Sequence, residues 1–173
     1  MKNLYIIGNG FDIHHCINSS YSAYRKWLLE NDKSLHERLC EYFDINEINK
    51  YEWWNDFENN LGNIKLHDYI MLKSFINQPN YERDDFMNMD LYTDTSDIEH
   101  DIGGLVEEIK NSFSEWIQSL DKAKISNKIR ISTEDNFFIN FNYTHTLEDI
   151  YNIPSKDILH IHGDIDDKEI VFS

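Results

Sequence analysis

The opening of the chain constrains its fold more than any other stretch. Lys2-Asn3-Leu4-Tyr5-Ile6-Ile7 reads as a short buried strand, and it runs straight into Gly8-Asn9-Gly10-Phe11-Asp12. A strand that ends in Gly-x-Gly and feeds a helix is how many nucleotide-binding folds begin. The glycines permit a tight turn and let a phosphate approach bare backbone N–H groups. The third glycine of the dinucleotide fingerprint is missing, so a plain strand-to-helix turn stays open as the other reading.

With 173 residues the chain is long enough for one domain with a real core. Its 32 acidic residues against 16 basic ones give a formal charge of −16. That balance argues against a nucleic-acid backbone as the main ligand and against an anionic membrane surface, both of which need Lys and Arg. A small anionic ligand can still be held by backbone N–H groups. No apolar run is long enough to span a bilayer, and residues 4–7 are too short for a signal peptide. Cys16 and Cys40 are the two cysteines and have no C-x-x-C spacing, so neither a disulfide scaffold nor a cysteine metal site is expected, and a reducing cytoplasm is.

Further along, residues 20–29 read as a helix capped by Ser19 or Ser20, with Tyr24, Trp27, Leu28 and Asn31 on one face. Residues 35–43 form a second helix, and residues 51–61 a third whose stripe is Trp54, Phe57 and Leu61. Residues 67–75 continue as helix. Residues 78–101 are polar and acidic and read as a loop, closed by Gly103-Gly104. Residues 105–120 are an amphipathic helix with Leu105, Ile109, Phe113, Trp116, Ile117 and Leu120 on its period. Strands are expected at 137–141, 157–161 and from 169, with a helix at 144–151. The expected fold class is α/β: one domain over residues 1–173, built on a Rossmann-like parallel sheet with a large helical insertion at about 20–125.

Three polar clusters each follow an apolar strand: Gly8-Asn9-Gly10-Phe11-Asp12, Asn142-Tyr143-Thr144 and His162-Gly163-Asp164. If the strands are parallel, their carboxyl ends share one edge and the clusters converge on one cleft. Asn142 suits orientation of a ribose hydroxyl or a water, or equally a cap for the helix that follows. Thr144 is itself a candidate cap. His162, at a strand end before glycine, suits a general base near neutral pH, or a hydrogen-bonded structural role. Glu58 lies one turn from Trp54, which permits a carboxylate facing the cleft or a half-exposed helix charge. His14-His15 and His160-x-His162 suggest a metal, His160 and His162 sharing a strand face. No third ligand with a recognised spacing completes either pair, so no metal site is expected.

Taken together, these residues resemble the AbiH family of bacterial phage abortive-infection proteins. The resemblance rests on Leu4-Tyr5-Ile6-Ile7-Gly8-Asn9-Gly10-Phe11-Asp12-Ile13, on Trp54-Asn55-Asp56-Phe57-Glu58, on the run from Phe138 through Asn142-Tyr143-Thr144 to Thr146-Leu147-Glu148, and on His160-Ile161-His162-Gly163. These blocks span nearly the whole chain. The family has a small residue and a glycine after the first block, where this chain has His15 and Cys16. AbiH chains are generally longer, so the resemblance implies a truncated chain, with later strands absent or supplied by a homo-oligomer or partner chain.

The order of blocks is also similar to the sirtuin-type NAD-binding domain. There a Gly-Ala-Gly-x-Ser loop cradles phosphates, a Thr-x-Asn-x-Asp block sets an asparagine beside the nicotinamide ribose, and a His-Gly pair supplies the catalytic histidine. Gly8 and Gly10 match the loop glycines, Asn9 replaces its alanine, and Asp12 stands where the serine does. Asn142 matches the asparagine, Thr144 the block's final aspartate, and His162 the histidine. The sirtuin zinc module needs paired C-x-x-C motifs, which are missing. The resemblance therefore implies NAD hydrolysis or nucleotide binding rather than deacetylation, with Asn142 and His162 catalytic. Gly8, Asn9, Gly10, Phe11, Asp12, Glu58, Tyr143, Thr144 and Gly163 would bind the nucleotide, and NAD would be substrate or ligand. A non-catalytic interaction module is the alternative, since a broken sheet edge invites a partner. A metal-dependent nuclease is a third reading.

Overall fold

The structure is a computed structural model and describes residues 3–62, 89–120, 128–132, 136–163, 170 and 172, with side chains of 89–102 outside that description. Strands β1 (Leu4–Ile7), β2 (Phe137–Asn140) and β3 (Ile158–His160) form a parallel sheet in the order β1-β2-β3. Leu4 lies opposite Phe137 and Ile7 opposite Asn140, and Asn140 lies opposite His160. Two further bonds extend the ladder past the strand ends, from Phe141 N–H to the Ile7 carbonyl (2.9 Å) and from Ile161 N–H to the Asn140 carbonyl (3.0 Å). The carboxyl ends of all three strands therefore share one edge.

The expected mixed α/β class with a parallel sheet is observed. The strands are buried on one face only, which corrects the reading of fully buried strands. Tyr5, Ile7, Phe138 and Ile158 pack with Leu147 and Ile153. On the other face Leu4, Ile6, Phe137 and Leu159 are exposed, Ile6 by 69%. β1 and β2 each carry apolar residues at consecutive positions, so their composition signals burial on both faces whether or not both are covered.

Helix α1 (Asn9–His14) starts directly after Gly8. It ends with Cys16 N–H bonded to the Ile13 carbonyl and Ile17 N–H to the Asp12 carbonyl, with Cys16 at φ 63°. This is a Schellman ending, whose left-handed position favours glycine. The family resemblance places its glycine in this stretch, and here Cys16 takes the left-handed position instead.

Every described element between α1 and β2 is a helix. In α2 (Tyr21–Asn31), Ser20 Oγ accepts from the Ala23 N–H, which settles the cap on Ser20. Asp32 caps α3 (Lys33–Tyr42) in the same way, accepting from the Leu35 N–H at 3.0 Å. The single helix expected over residues 51–61 is two: α4 (Lys50–Asn55) and α5 (Phe57–Gly62). Amide side chains of α5 bond back across the junction, one of them to the backbone. Asp56 Oδ1 accepts from Asn59 Nδ2 at 2.7 Å and Asn60 Nδ2 donates to the Trp53 carbonyl at 3.0 Å.

Helix α6 (Met89–Ser119) overturns the loop expected for its first half and runs through Gly103-Gly104. In the sequence, Leu91, Ile98, Ile102, Leu105 and Ile109 keep helical spacing through the acidic stretch. Their pattern outweighs two glycines costing about 1 kcal/mol each. The helix expected at residues 67–75, the first part of the expected loop and most of the strand expected from 169 lie outside the described residues.

Tyr24, Trp54, Phe57, Phe113 and Trp116 form an aromatic core among α2, α4, α5 and α6. The rings meet edge-on, as in Tyr24–Phe113 at 5.0 Å, or stacked, as in Trp54–Phe57 at 5.3 Å, both favoured arrangements. After β2, helix α7 (Thr146–Tyr151) packs Leu147 under the sheet. Among the described residues no helix is long and apolar enough to cross a membrane.

Candidate functional site

Where the sheet meets the aromatic core, the three strand-end clusters come together. Asn142, two residues past β2, donates from Nδ2 to the Gly8 carbonyl at 3.1 Å, while its own N–H donates to Asn140 Oδ1 at 3.0 Å. Thr144 Oγ1 donates to one oxygen of Asp12 and Thr146 Oγ1 to the other, both at 2.7 Å. Asp12 is fully buried. The ring of His162 lies 5.1 Å from that of Tyr143 and 5.8 Å from that of Phe141.

Neither capping role expected after β2 is found. The cap position of α7 is His145, with no side chain closing it. Asn142 reaches across to β1 instead, and Thr144 is held by Asp12. Asp12 outcompetes the helix end for Thr144 because a buried carboxylate needs donors and two hydroxyls are within reach.

A cleft of about 60 Å³ opens here, lined by Asn9, Asp12, Ser19, Asn142 and the side chains of Tyr21, Phe141, Tyr143 and Ile117. Its size suits one end of a ligand, since a pocket for a whole small molecule occupies roughly 300 Å³ or more. Asn9 Oδ1 accepts from Ser19 Oγ at 2.7 Å. Glu58 stands behind the aromatic wall rather than in the cleft. Its Oε1 accepts from the Tyr143 hydroxyl at 2.8 Å and from the Tyr21 hydroxyl. Burial, with the Glu58 carboxylate alongside, pushes the Tyr21 phenol far above its ordinary value; burial and then the neighbouring Tyr21 and Glu58 do the same to Tyr143. Both phenols are therefore protonated donors at neutral pH. Both hydroxyls are engaged by Glu58.

The glycines divide into two kinds. Gly163 has φ 85°, so the turn after β3 requires it. Gly8 is extended at φ −134°, and among the described residues a Cβ at either Gly8 or Gly10 would meet nothing within 4 Å. The tight turn expected of these two is thus not what they supply. Open space lies above both, and Phe11 beside them packs against His15 and Tyr151.

The histidine pairs resolve differently from expectation. His15 is buried, its Nδ1 at 2.6 Å from the Phe11 carbonyl and its Nε2 at 2.7 Å from the Tyr151 hydroxyl. A carbonyl only accepts, so Nδ1 carries the proton. β3 ends at His160, the chain bends after it, and His160 and His162 take different partners. His160 turns to Glu148, with Nε2 and Oε1 2.8 Å apart. Sequence reasoning missed Tyr21, Ser19 and Ile117, which come to the cleft through helix packing. It also missed the grouping of His160 with His145 and Glu148, for which H-x-x-E at a helix start was an available signal.

No curated protein and no solved structure matches this chain. A comparison with protein families matches residues 4–173 to the family described as "Bacteriophage abortive infection AbiH", and the chain belongs to that family.

Proposed function

We propose that this protein acts in phage defence within the cytoplasm, binding NAD or a related nucleotide in the cleft and hydrolysing its nicotinamide–ribose bond. The family supports the defence role. The observation that carries the chemistry is the meeting of three strand-end clusters on the carboxyl edge of a parallel sheet, where α/β folds bind ligands. Asn142 bonds to Gly8, Thr144 to Asp12, and His162 packs on Tyr143. The bare surface over Gly8 and Gly10 suits phosphates approaching the backbone. The cleft suits the other end of the molecule. Three aromatic side chains, with the carboxylates of Asp12 and Glu58 beside them, favour a flat cation such as the oxidised nicotinamide ring.

In this reading the likeness to sirtuin-type domains extends to residue roles. Water adds to the ribose carbon as nicotinamide leaves, and the water's proton passes to a base. Asn142 orients the ribose and the water. His162 is that base; its ring lies 5.1 Å from that of Tyr143, which lines the cleft. Positive charge passes from ring to ribose as the bond breaks, and the nearby carboxylates favour both positions. NAD depletion would stop the phage by stopping its host.

Nicotinamide release from NAD, followed by chromatography, tests this. The wild type is expected to release nicotinamide, and His162→Ala and Asn142→Ala each to lower the rate at least about 100-fold, the usual lower bound for losing an acid–base or positioning group. Asn142→Ala also loses its bond to Gly8, worth about 1 kcal/mol, so its unfolding midpoint is measured alongside. Release undiminished in both variants would contradict the residue roles. No release from the wild type would favour a second reading, a partner-binding module, for which the exposed apolar face of Leu4, Ile6, Phe137 and Leu159 speaks.

A further inference from the structure

We infer that His145, Glu148 and His160 form a binding site for a zinc-class transition-metal ion. The three residues come from the start of α7 and the end of β3, and their ligand atoms all lie within 4.8 Å of one another. Two imidazoles and a carboxylate are the donor set such ions select, and three protein ligands leave one position for water. His145 and Glu148, three residues apart, lie on one helical face.

A second observation points to a cation. Glu148 Oε1 is engaged by His160 Nε2, but Oε2 is buried with no hydrogen-bond partner among the described residues. An orphaned buried carboxylate oxygen costs stability, and a His–Glu pair alone leaves it so. A cation among the three ligands satisfies it. Donors around a tetrahedral zinc lie about 3.3 Å apart at metal–ligand distances near 2.0 Å. The His160–Glu148 pair is already that close, and His145, half-buried, closes the remainder by a rotamer adjustment. Asn140 lies opposite His160 in the sheet, with its Nδ2 3.5 Å from His160 Nδ1. The same Asn140 holds Asn142, so the metal would anchor α7 to β3 one residue from the cleft.

The test titrates the full chain with Zn²⁺ by calorimetry and with Co²⁺ by visible absorption, which reports coordination geometry. The wild type is expected to bind one equivalent with a four-coordinate cobalt spectrum and to unfold at a higher temperature in Zn²⁺. His160→Gln and Glu148→Gln should each weaken binding at least about 10-fold and abolish the thermal shift, while His14→Gln, at an exposed histidine elsewhere, leaves both unchanged. Circular dichroism of each variant establishes that it is folded. No stoichiometric binding by the wild type, or binding that survives in both folded variants, overturns the site.

Discussion

Phe57→Ala is expected to lower the free energy of unfolding by about 3–5 kcal/mol, the range for emptying a buried aromatic position. Phe57 is fully buried. Its ring stacks on Trp54 at 5.3 Å and meets Trp53 at 5.6 Å, Tyr24 at 5.6 Å and Phe172 at 5.7 Å. These neighbours are large and rigid and belong to several elements, so they cannot collapse into the space. A domain holds roughly 5–15 kcal/mol in total, so the loss is a large fraction of it. Phe57→Leu fills most of the volume and should cost about half as much. Urea denaturation measures both. A Phe57→Ala loss below about 1 kcal/mol would mean that the aromatic cluster is not the stabilising core of the helical part.

Asp12→Ala is the second large effect, expected at about 2–4 kcal/mol. Two hydroxyl bonds to a charged acceptor contribute about 1.5–3 kcal/mol each, offset in part because alanine no longer buries a charge. The substitution strands Thr144 Oγ1 and Thr146 Oγ1, which lie 2.9 Å apart and can then bond only to each other. Asp12→Asn keeps one acceptor oxygen and should lose less than half as much. The loss reaches the site directly, because Asp12 ties the chain after β1 to the chain after β2. Denaturation midpoints of the two variants decide the matter, and equal midpoints for wild type and Asp12→Ala would mean that this buried carboxylate carries no tie.

Much of the architecture was legible because apolar periodicity encodes it. Leu105, Ile109, Phe113, Trp116 and Ile117 are all buried on α6, as their spacing requires. The convergence of Gly8, Asp12, Asn142 and Thr144 was legible too, once the strands were taken as parallel. What stayed hidden depended on competition that a linear pattern does not record. Thr144 had two kinds of partner to choose from, the N–H donors of a helix start and the acceptor oxygen of a distant carboxylate. Residues 51–61 carried one helical stripe, yet amide and carboxylate side chains broke it at Asp56. Charge at 94–101 masked a stripe that was present. The exposure of Leu4 and Ile6 depends on what covers the sheet, which the strand's own composition does not state.

In the proposed function, the glycines at the sheet edge leave room for a nucleotide's phosphates. Neither has a positive φ, and neither is crowded by the described residues; in a helix, Gly10 costs up to about 1 kcal/mol relative to alanine. The most direct measurement is therefore NAD affinity by calorimetry for wild type and Gly10→Ala, with the unfolding midpoint of each. Gly10→Ala is expected to leave stability equal or higher while weakening NAD at least about 10-fold, because its methyl group would stand in the proposed path of the phosphate to the backbone. Equal NAD affinity in the two proteins, or no NAD binding by the wild type, would contradict it.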